Sequence, residues 1–234
     1  MTLRGLVVVF SYNEHDFIAH TIRHLLSQGL DIQVFDNWST DPTFEILQGF
    51  RNDIKYERWP DMHQQCSSLT SRLYYLQHLA LETDYDWVIN HDADEIRRSP
   101  VPGESLIDFI IRMDAAGYNA IDHTAEVYRP REGWDSSQDP ETFFTERLEK
   151  HTDHRNPHIK AWKAGCRVEL VSKGGHQAIF PGRRVAPEKL ILKHYPFRSQ
   201  AHAERKIRER RRSYTDEELA QGWHSQYRAK KWWT

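Results

Sequence analysis

The sequence predicts an α/β fold, a mostly parallel sheet flanked by helices, and three observations carry that expectation. Leu6-Val7-Val8-Val9-Phe10 and Trp87-Val88-Ile89 are continuous apolar runs, as strands buried on both faces require. Between them, apolar residues recur at helical spacing in three separate segments. Polar clusters then follow the strand runs directly, where open α/β sheets bind their ligands.

Taken in order, Leu6 to Phe10 is the first strand, and Phe17, Ile18, Ile22, Leu25 and Leu26 mark a helix from Glu14 that Gly29 stops. Ile32 to Phe35 is the second strand. Asp41 and Pro42 are a good N-cap and first-turn pair for a helix through Phe44, Ile46 and Leu47. Ile54 to Trp59 reads as a third strand, Leu69, Leu73, Leu76 and Leu79 as a third helix, and Trp87 to Asn90 as a fourth strand. Beyond it, Ser105 to Gly117 is a helix opening on Ser105-x-x-Asp108, and Ala120 to Val127 a strand. Tyr128 to Pro157 reads as a long loop, Arg167 to Val171 and Leu190 to Leu192 as strands, and Ala201 to Arg212 as a basic helix. The segment Trp223 to Trp233 reads as a packing hook or a binding element. Residues 1–98 are expected to form a ligand-binding α/β half and residues 99–234 a second half continuous with it.

Composition bounds the function. The 234 residues carry 28% charged side chains that nearly cancel to a net charge of -2, which describes an ordinary globular protein and argues against a nucleic-acid-binding one. No apolar run reaches the ~20 residues of a membrane span. Met1-Thr2-Leu3-Arg4 leads straight into a strand. The expectation is a cytoplasmic protein with at most peripheral membrane contact. Cys66 and Cys166 are read as reduced thiols.

Three polar clusters sit at the predicted strand ends. The first is Ser11-Tyr12-Asn13-Glu14, the second Asp36-Asn37-Trp38-Ser39-Thr40-Asp41, and the third His91-Asp92-Ala93-Asp94-Glu95. Capping explains Asp41 without any ligand. Asp36 and Asn37, directly at a strand edge, suit hydrogen bonds from a nucleobase or ribose. If the strand continues through Asp94, Asp92 and Asp94 project from one face. Two ionised carboxylates side by side repel, and a divalent cation relieves that. Neither Gly-x-Gly-x-x-Gly nor Gly-x-x-x-x-Gly-Lys-Ser/Thr occurs, so neither the usual dinucleotide site nor a P-loop is supported.

With these clusters in this order, the chain resembles family 2 glycosyltransferases of the GT-A fold, a Rossmann-like architecture. The matching residues are Phe10-Ser11-Tyr12-Asn13-Glu14, Gln28-Gly29, Asp36 to Thr43, and Asp92-Ala93-Asp94. Lys193-His194-Tyr195-Pro196-Phe197-Arg198-Ser199 looks like the closing motif of a bacterial subgroup. Many relatives carry a second Asp and a Gly where this chain has Asn37 and Trp38. The Gln-x-x-Arg-Trp motif of processive synthases is absent, which favours addition of a single sugar.

The resemblance implies a nucleotide-sugar donor held by Ser11, Asn13, Glu14, Asp36, Asn37 and Asp92. It implies a Mn²⁺ or Mg²⁺ ion on Asp92 and Asp94, completed by His194 or His176. Arg198 and Lys206, with Arg205 behind them, suit the diphosphate. Inversion needs a carboxylate base on the acceptor side. Asp122, Glu126, Asp135 and Glu146 fall in the acceptor region, and Glu126, at a strand end, leads Glu146 and Asp122. The acceptor is expected to be a glycan or another hydroxyl compound. Paired carboxylates and a basic helix also suit a metal-dependent nucleotidyl or phosphoryl transferase, and the basic helix alone a noncatalytic nucleic-acid-binding module.

Overall fold

A computed structural model describes residues 3–60, 68–148, 157–210 and 215–220. Strand β1 (Gly5–Ser11) lies at the heart of a six-stranded sheet of order β3-β2-β1-β4-β8-β6. Strands β2 (Asp31–Asp36), β3 (Lys55–Arg58) and β4 (Trp87–Asp92) run parallel to it, as the alternating pattern predicts. Helices α1 (Ile18–Ser27), α2 (Thr43–Gly49) and α3 (Leu69–Glu82) make the crossovers.

Alternation in the strands sorts the core into two layers. Val7, Val9, Ile32, Val34, Trp87 and Ile89 pack with α1 and with α4 (Leu106–Ala115) on one face. Leu6, Val8, Phe35 and Val88 pack with Leu73, Leu76 and Ala80 of α3 on the other. Two starts read from sequence are seen in the side chains. Ser105 Oγ accepts the Asp108 N–H at 3.2 Å, and Asp41 Oδ1 accepts the Thr43 N–H at 2.9 Å.

The second half departs from expectation in three places. Ala120 to Val127 is two strands. β6 (Ala120–Ile121) pairs with β8 (Ala161–Lys163) in the large sheet. β7 (His123–Val127) joins a separate three-stranded sheet of order β5-β9-β7 with β5 (Glu95–Arg98) and β9 (Leu190–His194). Asp122 makes the corner: its Oδ1 accepts the N–H groups of His123 and His158, and its Oδ2 lies 2.6 Å from Lys189. Arg167 to Val171 is not a strand; it contributes one bridge, Glu169 to Ile179, before a 3-10 turn at Val171–Lys173. The long loop after Tyr128 contains a short helix, α5 (Pro140–Phe143), capped by Asp139, and residues 149–156 lie outside the described ones. Phe17, Ile96, Phe144 and Tyr195 form a third, aromatic core under the small sheet.

The basic helix is α6 (Gln200–Arg210), followed by α7 (Asp216–Ala220). Cys66 and the Trp223 to Trp233 segment lie outside the described residues, and Cys166 is a free thiol. No described helix is long and apolar enough to cross a membrane.

Candidate active site

The ends of β1, β2 and β4 converge as the fold requires, but many of their side chains face one another. Asn13, in the left-handed region at φ 54°, accepts the Thr40 N–H at 2.8 Å through Oδ1 and donates Nδ2 to Glu209 at 3.0 Å. Its own N–H goes to Ser39 Oγ. Asp36 is fully buried, and its two oxygens accept the Ser39 N–H at 3.0 Å and the Ser39 hydroxyl at 2.5 Å, with Arg58 3.9 Å away. Burial pushes its carboxyl above the usual range despite those bonds. Both oxygens of Asp36 thus already hold the loop at Ser39. Ser11, Glu14 and Asn37 are buried as well.

The acidic triplet divides at the strand end. β4 stops at Asp92, and a turn through Ala93 and Asp94 leads into β5, so the two aspartates do not share a strand face. Asp92 keeps 58% of its side chain exposed, while Asp94 keeps 5%. Each already has a cation. Lys160 Nζ lies 2.7 Å from Asp92 Oδ2 and 2.7 Å from Glu95 Oε1. Enclosure works against the Asp92 charge, but the Lys160 ammonium outweighs it and holds the carboxyl below the usual range.

Asp94 receives Lys206 Nζ at 2.8 Å, with His194 Nε2 at 3.4 Å and Arg198 at 4.0 Å. Those cations outweigh its burial and hold it well below the usual range, and Asp94 in return raises His194 against the effect of burial. Lys206 also reaches Glu14 at 2.6 Å, and Arg198 pairs with Glu14 and, at 3.4 Å, with Asp16. Arg198 and Lys206, expected at a diphosphate, are both buried here with their charge directed at carboxylates. Sequence shows their charge but not which way the helix turns it.

Among the described residues, Glu14, Asp16 and His202 bring three ligand atoms within 4.8 Å of one another. The Arg198 guanidinium pairs with both carboxylates, and the backbone N–H of Arg198 donates to His202 Nδ1 at 3.2 Å, so the group is already an ion-pair cluster. Asp92, Asp94 and His194 are ligand types that suit Mn²⁺ or Mg²⁺, but their ligand atoms do not all lie within 4.8 Å of one another, and Asp94 is paired with His194 and Lys206. The outward exposure of Asp92 is compatible with a ligand.

Beside Asp92 lies a cavity of about 60 Å³ lined by Phe10, Arg72, Asn90, Asp92, Lys160 and His176, among others. Gly175 closes one wall. Its φ is 79°, and a Cβ there would fall 2.8 Å from Leu73 of α3, so only glycine lets the loop lie this close. His176 thus lines the cavity while His194 stands at Asp94. Lys160 and Arg72 are the residues sequence reading missed. A lysine before a three-residue strand carries no local sign of burial, because the burial comes from β4.

The acceptor-side carboxylates are scattered. Glu126 pairs with Arg147 at 2.8 Å and accepts the Tyr128 hydroxyl at 3.1 Å. Glu146, 76% exposed, faces Arg129 rather than its sequence neighbour Arg147. Asp122 is spent on the corner described above. Asp135 caps the exposed turn at Ser137.

The family model for glycosyl transferase family 2 matches residues 6–175. No curated protein matches the chain. Among solved structures, S. aureus TarS is 20% identical over 62% of this chain and 24% of its own, with a TM-score of 0.42. Its 1-349 portion in complex with UDP-GlcNAc is 17% identical over 56% and 36%, with a TM-score of 0.37. The mannosyltransferase PcManGT from Pyrobaculum calidifontis, in complex with GDP-Man and Mn²⁺, is 15% identical over 99% and 66%, with a TM-score of 0.49. The chain therefore spans between 24% and 66% of the length of these structures.

Proposed function

The chain belongs to glycosyl transferase family 2; from that premise we propose that it is a glycosyltransferase of the GT-A fold that moves one sugar from a nucleotide-sugar donor to a hydroxyl acceptor, with inversion and with a divalent cation. The observation that carries this reading is the position of Asp92. It is the exposed carboxylate of an otherwise buried ion-pair cluster, set at the end of β4 where the sheet binds ligands.

Residues 1–98 supply the donor side and residues 99–234 the acceptor side. Asp92 leads the residues that would hold the cation, with Asp94 and His194 beside it and His176 across the cavity. A bound Mn²⁺ or Mg²⁺ supplies a Lewis acid to the leaving diphosphate. In transfer, the acceptor oxygen bonds to the anomeric carbon as the bond from that carbon to the phosphate oxygen breaks. The electron pair leaves with the nucleoside diphosphate, and the acceptor proton passes to a base. We assign the base to Glu126, because Asp122 is fully committed and Glu146 stands in solvent. Its carboxylate is set in place by Arg147 and Tyr128.

Thermal melting against a panel of nucleoside diphosphates, with and without Mn²⁺, tests the donor reading. A ligand at 100 times its Kd stabilises the folded state by about 2.7 kcal/mol. One diphosphate should raise the melting temperature, and more so with Mn²⁺. No shift with any diphosphate at millimolar concentration would overturn it.

A further inference from the structure

Lys160 is 4% exposed, an unusual place for a lysine, and the fold holds it there deliberately. Its carbonyl accepts the Asn90 N–H at 2.8 Å, continuing the β4–β8 pairing and fixing the backbone beside the end of β4. An ammonium carries three N–H donors. Two go to Asp92 and Glu95 at 2.7 Å each. The third meets no acceptor among the described residues, and the side chain lines the cavity with Asn90, Asp92 and His176. That cavity opens beside the Lys160 ammonium and the Asp92 carboxylate.

The cations that sequence assigns to the diphosphate are turned away. Arg198 and Lys206 lie on Glu14, Asp16 and Asp94. Glu95 is braced behind Lys160: its other oxygen takes Arg97 at 3.0 Å and the Asp92 N–H at 3.2 Å. Lys160 is thus aimed by a rigid carboxylate, with Asp92 beside it.

We propose that Lys160 is a catalytic residue of the transfer, its third N–H donating to an oxygen of the leaving diphosphate while the other two stay on Asp92 and Glu95. This rests on the donor reading above. Lys160 keeps its proton throughout: as the bond from the anomeric carbon to the phosphate oxygen breaks, the electron pair settles on that oxygen, and the fixed ammonium meets the growing charge. Such preorganised, charge-assisted donors act most strongly at the transition state.

The test uses Lys160→Met and Lys160→Arg in the full chain. Inorganic pyrophosphate with Mn²⁺ serves as the leaving-group probe in calorimetry, and steady-state transfer supplies kcat and KM. Lys160→Met should bind pyrophosphate at least tenfold more weakly and lose about 10²–10³-fold in kcat, the scale of one lost transition-state donor. Its donor KM should change much less, and Lys160→Arg should recover part of kcat. Undiminished pyrophosphate affinity in folded Lys160→Met would overturn the proposal. If Lys160→Met does not fold, Lys160→Arg decides: wild-type kcat and pyrophosphate affinity support a charge at this place, and loss of both without any change in melting temperature overturns the proposal in favour of a purely steric site. Should the wild type bind pyrophosphate but release no nucleoside diphosphate from a nucleotide sugar, the donor reading fails, while the calorimetric comparison still reads Lys160.

Discussion

Asp36 shows that a strand-end carboxylate can carry a structural task of its own. It ends β2, both its oxygens serve Ser39, and the residue is fully buried. Asp36→Ala would leave the Ser39 N–H without its acceptor, and an unmet buried donor costs about 1–3 kcal/mol. Chemical denaturation should find the variant less stable by that amount. Unchanged stability would mean that solvent replaces the carboxylate, and that the loop is open enough for Asp36 to meet a ligand after all. The same distinction separates Asp92 from Asp94. Both are written in the same three-residue motif, but the turn at Ala93 leaves one outward and folds the other under α6.

At the scale of elements, α6 docks through charge more than through apolar surface. Lys206 is shared by Glu14 of the β1 loop and Asp94 of the β4 turn, while Glu209 holds Asn13. Farther on, Glu218 of α7 accepts the Thr70 N–H at 3.0 Å, at the start of α3. The described C-terminal helices thus grip the β1 loop, the β4 turn and α3. Lys206→Met would leave Glu14 with Arg198 and Asp94 with His194 and the more distant Arg198, so the variant should lose less than the about 3–5 kcal/mol of a buried pair broken outright. Hydrogen exchange should then show the amides of residues 200–210 losing protection together. Protection equal to wild type would show that the helix packs independently of Lys206.

Elements were legible in proportion to how local their signals are. β1 to β4 and α1 to α3 announce themselves by apolar runs and helical spacing within a few residues. β6, β7 and β8 are two to five residues long, and their partners lie far along the chain, so nothing local could divide Ala120 to Val127 between two sheets. The site follows the same rule. The strand-end position of Asp92 and the motif around His194 are local signals, which is why both could be named from sequence. The burial of Lys160 and the carboxylate partners of Arg198 and Lys206 were not legible, because tertiary contacts decide which way a charge points.

For the whole molecule, buried histidines set the response to acid. Burial first, and Arg98 next, hold His24 down to about 4. Burial with Arg97 holds His91 and His123 well below the usual range, and burial with Arg198 does the same for His202. Each binds a proton more readily unfolded than folded, so their contribution is complete above about 6.5 and is lost as pH falls below it. His194 has the opposite sign: Asp94 raises it, and its contribution fades as pH rises through the folded value. With His20 and His176 also held low, chiefly by burial, six such groups against one predict a melting temperature that drops between about pH 7 and pH 5. A flat or rising profile would mean that these rings reach water in the folded state.

The most direct measurement at the level of function is the product released from a nucleotide sugar by the wild type and by Asp92→Asn. Lys160 keeps Glu95 as a partner in that variant, so the fold should persist with an unchanged melting temperature. The wild type should release one nucleoside diphosphate per sugar transferred, and Asp92→Asn should lose about 10²–10³-fold in kcat. Pyrophosphate as the product, or full turnover by Asp92→Asn, would contradict a donor site centred on Asp92.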